Sequence, residues 1–335
     1  MKLLVTGGSG FIGSNFIRYM LEAHQDITIT NLDSLSVGSN SANLKDIRND
    51  RRYRFVKGDI TNLKIVLKLV KDVDVVVNLA AETHVDRSIS NPRPFVKSNT
   101  IGIFTLLEAI RKSNPSAKMV QVSTDEVFGS IVNGSFGENA PLKPSSPYAS
   151  SKAAADMFAL AYHKTYGLDV RITRCTNNFG PYQHPEKLIP KTIIRARLGL
   201  PIPVYGKGEQ IRDWIYVLDH CMALSHVMEK GKAGEVYNIA AGNEISNIKV
   251  VESILQLLGK STDLIRFVED RPGHDMRYSL ISSKIRLELG WRPEHSFAEA
   301  IEHTVDWYSK NEYWWKRQAS KKMLHPTPWK LHWQL

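Results

Sequence analysis

Thr6-Gly7-Gly8-Ser9-Gly10-Phe11-Ile12-Gly13 is the stretch on which the fold turns. It follows a short apolar run, Lys2–Thr6. It opens a segment, Phe11–Ala23, whose apolar residues Phe11, Ile12, Phe16, Ile17, Met20 and Leu21 recur at helical spacing. A strand that passes through glycines into a helix N-terminus turns free backbone N–H groups and a positive dipole end toward an anion. Gly7, Gly10 and Gly13 suit a tight turn, a close approach of a pyrophosphate and a close helix–strand contact. Asp33 stands at the end of the next predicted strand, Ile27–Leu32, twenty residues past Gly13. A carboxylate there accepts hydrogen bonds from adenosine ribose hydroxyls and repels a 2′-phosphate. No Lys or Arg lies between Asn31 and Asn43, which favours NAD over NADP. Asp59 follows another predicted strand and has two readings: a partner for the adenine amino group, or a cap for the helix beginning near Asn62.

Strands at Tyr53–Val56, Val73–Leu79 and Met119–Ser123 alternate with helices such as Thr100–Lys112. Several strands are continuous β-branched runs, the pattern of a parallel sheet covered on both faces. The expected fold is α/β: a Rossmann-type doubly wound parallel sheet with a smaller α/β substrate-binding C-terminal domain. The rhythm loosens after Phe179, where Pro181, Pro185, Pro190, Pro201 and Pro203 punctuate the chain. Helices are expected there at Ile189–Leu198, Leu218–Glu229, Asn247–Leu258 and Phe297–Ser309. The expected division is residues 1–179 and 180–335, with segments free to cross between the two.

The 335 residues, 42% hydrophobic and 23% charged, exclude a fibrous or disordered chain. No apolar run approaches the ~20 residues of a membrane span, and glycines arrive too early for a signal peptide. Two cysteines, Cys175 and Cys221, give neither a disulfide framework nor a zinc signature and fit a reducing cytoplasm. The +10 net charge suits nucleic acid or a phosphorylated small substrate equally. Part of it sits in a basic tail from about residue 311, and five of the seven tryptophans fall in the last 29 residues. The favoured reading of that tail is an appendage packed on its own domain or on a neighbouring subunit.

Tyr148 and Lys152 are four apart, which on a helix gives one face. An ammonium near a phenol favours the phenolate and lowers its pKa from about 10. Such a tyrosine accepts a hydroxyl proton while hydride leaves the same carbon. His84 and His274 have no partners at metal-ligand spacing, and no metal is expected.

With these pieces in place the chain resembles the extended short-chain dehydrogenase/reductase family. Within it, the chain resembles the dTDP-glucose 4,6-dehydratases over almost its whole length. The resemblance rests on Thr6–Gly13, Leu79–Ser88, Thr124-Asp125-Glu126-Val127-Phe128-Gly129, Pro144–Lys152, Asn177–Tyr182, Pro185–Pro190, Tyr205–Trp214 and Asp270–Tyr278. The glycine turn and Tyr-x-x-x-Lys mark the superfamily, whereas Thr124-Asp125-Glu126 and Arg271-Pro272-Gly273-His274-Asp275 are narrower. Ser34-Leu35-Ser36 departs from the family's frequent Lys-Leu-Thr, and Phe128 and Phe179 stand where tyrosine is frequent.

The resemblance implies NAD used catalytically, a nucleotide-sugar substrate (dTDP-glucose), and water loss giving dTDP-4-keto-6-deoxyglucose for deoxysugar, rhamnose-type synthesis. It implies a cytoplasmic homodimer joined through the helices near Thr100–Lys112 and Tyr148–Tyr166, with neither nucleic acid nor a membrane span involved. It makes Asp125 the acid, Glu126 the base, and Tyr148, Lys152 and Thr124 their partners. Cofactor contacts fall on Gly7, Gly10, Phe11, Ile12, Gly13, Asp33, Ser34, Leu35, Ser36, Asp59, Ile60, Leu79, Ala80, Ala81, Glu82, Thr83, Ser98, Tyr148, Lys152 and Asn178. Substrate contacts fall on Thr83, Thr124, Asn177, Lys187, Leu188, Pro203, Val204, Tyr205, Arg212, Asn247, Asp270, Arg271, Pro272, Gly273 and His274. A 4,6-dehydratase or 4-epimerase of another nucleotide sugar, such as UDP-glucose, is the nearest alternative. A nucleic-acid-binding or scaffold protein that keeps a Rossmann site is the alternative from another class.

Overall fold

Each strand of the first half feeds a helix that must cross the sheet to reach the next parallel strand, and the β-branched runs bury both strand faces. The computed structural model describes residues 1–333; Gln334 and Leu335, the end of the expected tail, lie outside the described residues. The chain runs β1 (Lys2–Thr6), α1 (Phe11–Ala23), β2 (Thr28–Asp33), β3 (Tyr53–Lys57), α2 (Leu63–Val70), β4 (Val75–Asn78), α3 (Val85–Ser90), α4 (Arg93–Phe95), α5 (Gly102–Ser113), β5 (Lys118–Thr124), α6 (Pro147–Tyr166) and β6 (Val170–Cys175). It continues through β7 (Asn177–Phe179), α7 (Leu188–Arg197), β8 (Ile202–Tyr205), β9 (Ile211–Tyr216), α8 (Val217–Lys230), β10 (Val236–Ile239), β11 (Glu244–Ser246), α9 (Asn247–Leu257), β12 (Ile265–Val268), α10 (Ser283–Leu289), α11 (Phe297–Lys310) and α12 (Glu312–Lys316).

Seven strands form one sheet in the order β3-β2-β1-β4-β5-β6-β10, every pair parallel. The order reverses between β1 and β4, so a crevice opens outside their carboxyl ends. Phe16, Ile17 and Met20 of α1 with Leu224 and Val227 of α8 seal one face. Val66 and Val70 of α2 with Leu106 and Leu107 of α5 and Ala155 and Ala159 of α6 seal the other. The expected Rossmann sheet is therefore present. The helix expected from Thr100 is entered through a π-helical turn, Val96–Ile101, and α5 itself starts at Gly102.

After β6 the chain builds a smaller α/β layer on the carboxyl-end side. Strands β7, β9 and β11 form one sheet and β8 and β12 another. Ile189, Ile193, Trp214, Ile254, Ile301 and Tyr308 lie in its core. The chain also crosses back: α8 covers the first sheet, and β10 pairs with β6 at its edge.

The tail packs on its own chain. Trp315 is buried and its indole N–H donates to the Tyr308 carbonyl, 2.9 Å away. Trp314 donates to Asn43 Oδ1 at 2.8 Å, pinning the tail to the first lobe. Residues 325–333 then run across α7 onto α3.

Asp219, fully buried on α8, fixes the approach to α11. Its carboxylate accepts the backbone N–H groups of Glu294 and His295 at 3.1 and 3.2 Å, and its carbonyl accepts the Trp291 indole N–H at 3.0 Å. Removing a buried acceptor costs the desolvation of the donors it leaves behind. Asp219→Ala is expected to lower stability by about 3 kcal/mol, read from the urea midpoint with an unchanged slope.

Candidate active site

The glycine turn is a cradle with no spare room. Gly7 has φ +71°, and a Cβ there would lie 2.6 Å from the Ala80 nitrogen. A Cβ on Gly13 would lie 2.4 Å from the Gly7 oxygen and 2.7 Å from the Gly8 Cα. One on Gly10 would meet only the Gly7 oxygen, at 3.2 Å. Asp33 accepts the Ser9 N–H at 2.9 Å with Oδ2 and the Leu35 N–H at 2.8 Å with Oδ1. The second bond holds Leu35 at φ 58°, a conformation uncommon outside glycine.

One continuous cleft is lined by Gly7, Gly10, Phe11, Ile12, Gly13, Asp33, Ser34, Ser36, Asp59, Ile60, Leu79, Ala80, Ala81, Thr83, Ser98 and Asn178. Leu35 and Glu82 stand behind it. Leu35 serves through its backbone turn, and the Glu82 carboxylate turns to Arg87, 3.1 Å away. Asn99 clamps the Glu82 backbone with bonds of 2.9 and 3.0 Å, which fixes the Leu79–Thr83 wall. Asp59 does not cap α2; Asn62 does, while Asp59 accepts from the Thr61 N–H and hydroxyl and pairs with Lys97 at 3.3 Å. A glycine cradle under a helix N-terminus, opening at the switch point beside a buried carboxylate, fits a dinucleotide.

The cleft continues to Thr124, Asp125, Glu126, Tyr148, Lys152 and Asn177. Where β5 ends, Thr124 Oγ1 donates to Asp125 Oδ1 at 3.1 Å and accepts the Glu126 N–H at 3.3 Å. Asp125 Oδ2 is buried with no partner among the described residues. Burial and the neighbouring Glu126 charge push the Asp125 carboxyl up to about 8. Burial also raises Glu126, but Arg271, Lys187 and Arg212 pull it back toward the ionised form. Both carboxyls are thus raised by burial, and the nearby cations act against that rise at Glu126.

Tyr148 corrects the expectation of a lowered phenol pKa. Burial and the Glu126 charge raise it well above 10, while the Lys152 ammonium donates to the Val122 carbonyl at 2.6 Å.

The smaller layer delivers the cations. Lys187 and Leu188 line the cleft, and the Lys187 ammonium donates to the Thr83 carbonyl at 2.9 Å. Arg212 Nη1 and Nη2 donate to the Ile211 and Asp275 carbonyls, both at 2.7 Å, and its guanidinium lies 4.2 Å from the Tyr278 ring centre. Arg271 donates to Asp86 at 3.0 Å through Nη1, and its buried Nε has no partner among the described residues. Tyr205 donates its hydroxyl to the same Asp86 at 2.8 Å. His274 Nδ1 meets Asp270 at 2.6 Å, and burial followed by Arg271 and Arg212 holds the ring neutral, its pKa lowered to about 4. Pro203 and Val204 are buried in β8, the Val204 side chain inside the smaller layer's core. Asn247 opens α9, its N–H on the Gln210 carbonyl at 3.0 Å, and Gly273 has φ +64° in the loop with Pro272.

Sequence reasoning assigned no role to Asp86 or Glu186. Glu186 is fully buried, 3.3 Å from Arg87, and stays ionised because His84, His184 and Arg87 surround it. The signal was an acidic residue inside each quoted motif, but its partners lie far along the chain.

A Rossmann sheet with Tyr148, Lys152 and the adjacent carboxyls of Asp125 and Glu126 on one cleft is the arrangement of an extended short-chain dehydrogenase/reductase. The family model described as GDP-mannose 4,6 dehydratase matches residues 4–304. A dTDP-glucose 4,6-dehydratase from Streptomyces niveus is 48% identical, over 98% of this chain and 98% of that protein. The low-salt glycan biosynthesis protein Agl12 of Haloferax volcanii is 50% identical, over 92% of this chain and 98% of its own. The crystal structure of DesIV, a dTDP-glucose 4,6-dehydratase from Streptomyces venezuelae with NAD bound, superposes with a TM-score of 0.93 at 48% identity, covering 95% of this chain and 100% of that one. The chain belongs to the dTDP-glucose 4,6-dehydratase family.

Gly13→Ala drives a Cβ into backbone and is expected to abolish dinucleotide binding and lower the melting temperature. Gly10→Ala, which meets one oxygen at 3.2 Å, should weaken binding with little change in melting. Dinucleotide content of the purified variants and thermal scans check both.

Proposed function

We propose that this protein is a hydro-lyase that uses NAD catalytically to convert dTDP-glucose to dTDP-4-keto-6-deoxyglucose for deoxysugar biosynthesis. The observation that carries the reading is the buried Asp125–Glu126 pair, split into acid and base, on the same cleft as Tyr148 and Lys152. A 4-epimerase needs no such pair.

The bound dinucleotide supplies a hydride acceptor and later a hydride donor, with a positive nicotinamide ring in its oxidised form. Gly7, Gly10 and Gly13 take its pyrophosphate and Asp33 its adenosine ribose. Tyr148 takes the C4 hydroxyl proton of the hexose. Its raised pKa means that a cation is needed close by when that proton moves. The C4 ketone acidifies C5–H, Glu126 removes that proton, and protonated Asp125 gives its own to the C6 hydroxyl, which leaves as water; the C5=C6 double bond so formed takes the hydride back at C6 and a proton at C5 from Glu126. Thr124 orients the Asp125 carboxyl. Arg271 and Lys187 hold the diphosphate end. Tyr205 faces the base.

In this reading residues 1–179 carry the cofactor and the chemistry, and 180–335 the nucleotide sugar. The protein works as a homodimer. Phe104 on α5 and Met157 and Phe158 on α6 are exposed, and Phe104 and Phe158 touch edge to face at 6.2 Å, whereas Leu160 packs on the core. Two free, buried cysteines support a reducing, cytoplasmic setting. No helix among the described residues is long and apolar enough to cross a membrane.

Incubation with dTDP-glucose, UDP-glucose and CDP-glucose in parallel, with mass spectrometry, tests the reaction. Loss of one water from dTDP-glucose is expected; an unchanged mass with a changed sugar would mean epimerisation. Glu126→Gln should cut dehydration roughly 10²–10⁴-fold while C4 oxidation persists, and Tyr148→Phe should stop both. The acid form of Asp125 exists below its pKa of about 8. Turnover should therefore fall as pH rises through that value, and again at low pH as Glu126 is protonated. Phe158→Asp should shift the protein to a monomer in size-exclusion chromatography.

A further inference from the structure

Tyr205 ends β8, a strand that pairs with β12, and glycines at φ +55° (Gly206) and +71° (Gly208) follow it. Groups from distant segments meet its side chain, the His274 ring edge to face at 6.2 Å and 71° among them. Its hydroxyl donates to Asp86 Oδ2 at 2.8 Å, and the Trp329 ring meets it edge to face, 4.8 Å between centres at 83°. The other Asp86 oxygen takes Arg271 Nη1 at 3.0 Å. One buried carboxylate on α3 therefore sets both the ring and the cation that come from the smaller layer.

Trp329 is itself anchored. Lys330 pairs with Glu269, the neighbour of Asp270. Ser90 donates to the Leu331 carbonyl at 2.5 Å and Asn91 to that of Trp333 at 3.2 Å, both from α3. Trp333 donates back to the Pro328 carbonyl at 2.9 Å, and the Lys322 ammonium sits 4.3 Å from its ring centre. The tail thus bridges the helix that carries Asp86 and the strand that carries Tyr205, and it presses an aromatic edge on Tyr205.

We propose that Asp86 and Trp329 are positioning residues of the nucleotide-sugar site, holding Tyr205 in the orientation against which the nucleobase packs. The basic, tryptophan-rich tail is then part of substrate recognition, and neither residue touches the reacting carbons. The inference rests on the nucleotide-sugar reading above. An edge-to-face aromatic contact that pre-orients a binding ring is worth a roughly five- to tenfold change in affinity.

The test is titration calorimetry with dTDP, together with steady-state kinetics on dTDP-glucose. Trp329→Ala should raise the Kd for dTDP and the KM roughly five- to tenfold, with kcat within twofold and bound NAD unchanged. Trp329→Phe should recover most of the affinity. Asp86→Asn, which keeps an acceptor for Tyr205 but drops the charge facing Arg271, should raise both constants further. In a Tyr205→Ala background the Trp329→Ala penalty should vanish, because its route is gone. A Kd and KM within twofold of wild type overturn the proposal. So does a penalty that persists in the Tyr205→Ala background, or a loss of kcat, NAD and melting temperature together, the mark of a purely structural role. If Trp329→Ala does not fold, Trp329→Phe and Asp86→Asn decide by the same thresholds. A wild-type protein that binds no dTDP and releases no water from dTDP-glucose overturns the underlying reading, and this inference with it.

Discussion

A charge on Glu126 makes a charge on its neighbour Asp125 costly, and much of this molecule is arranged around that constraint. The end of β5 puts the two on consecutive residues of one cleft. Burial raises both carboxyls. The difference between them comes from cations: Arg271, Lys187 and Arg212 favour the charge on Glu126. All three belong to the layer built after β6. That layer therefore acts on the charge of a carboxyl carried by the first.

The cations are expensive to bury, and the fold offsets this with anions drawn from the opposite layer. Asp86 holds Arg271, and against the burial that raises it that carboxyl is lowered to about 2 by its neighbours, His84, Arg271 and the Tyr205 hydroxyl. Glu186 gathers His84, His184 and Arg87. Each anion sits in or beside a segment that also lines the cofactor cleft, so cofactor and substrate ends share one polar framework. A half-satisfied framework of this kind costs more than none, which ties the two layers to a single relative placement.

Much of this was legible along the chain because it is local. The glycine turn, the Asp33 strand end and the four-residue step from Tyr148 to Lys152 are short-range patterns with direct mechanical meanings. The resemblance to a known family extended them to Asp125 and Glu126. Two kinds of fact were not legible. The direction of the Tyr148 shift depends on burial and on Glu126, and the lysine that suggested the opposite donates a hydrogen bond to the Val122 carbonyl. The roles of Asp86 and Trp329 depend on contacts that span more than a hundred residues, 119 between Asp86 and Tyr205. Asp59 lay between: the sequence offered a cap or a cofactor contact, and Asn62 took the cap.

The two cysteines carry one more consequence. Cys175 is buried beside Asp125, its thiol pushed up to about 12, and Cys221 is buried in the sheet core and raised likewise. Thiolate is the reactive form, so both are shielded from alkylating probes at neutral pH. The wild-type chain is therefore a ready background for site-specific labelling. A cysteine introduced at an exposed position such as Leu287 or Val132 would be the one to take a fluorophore, with the native thiols left in place.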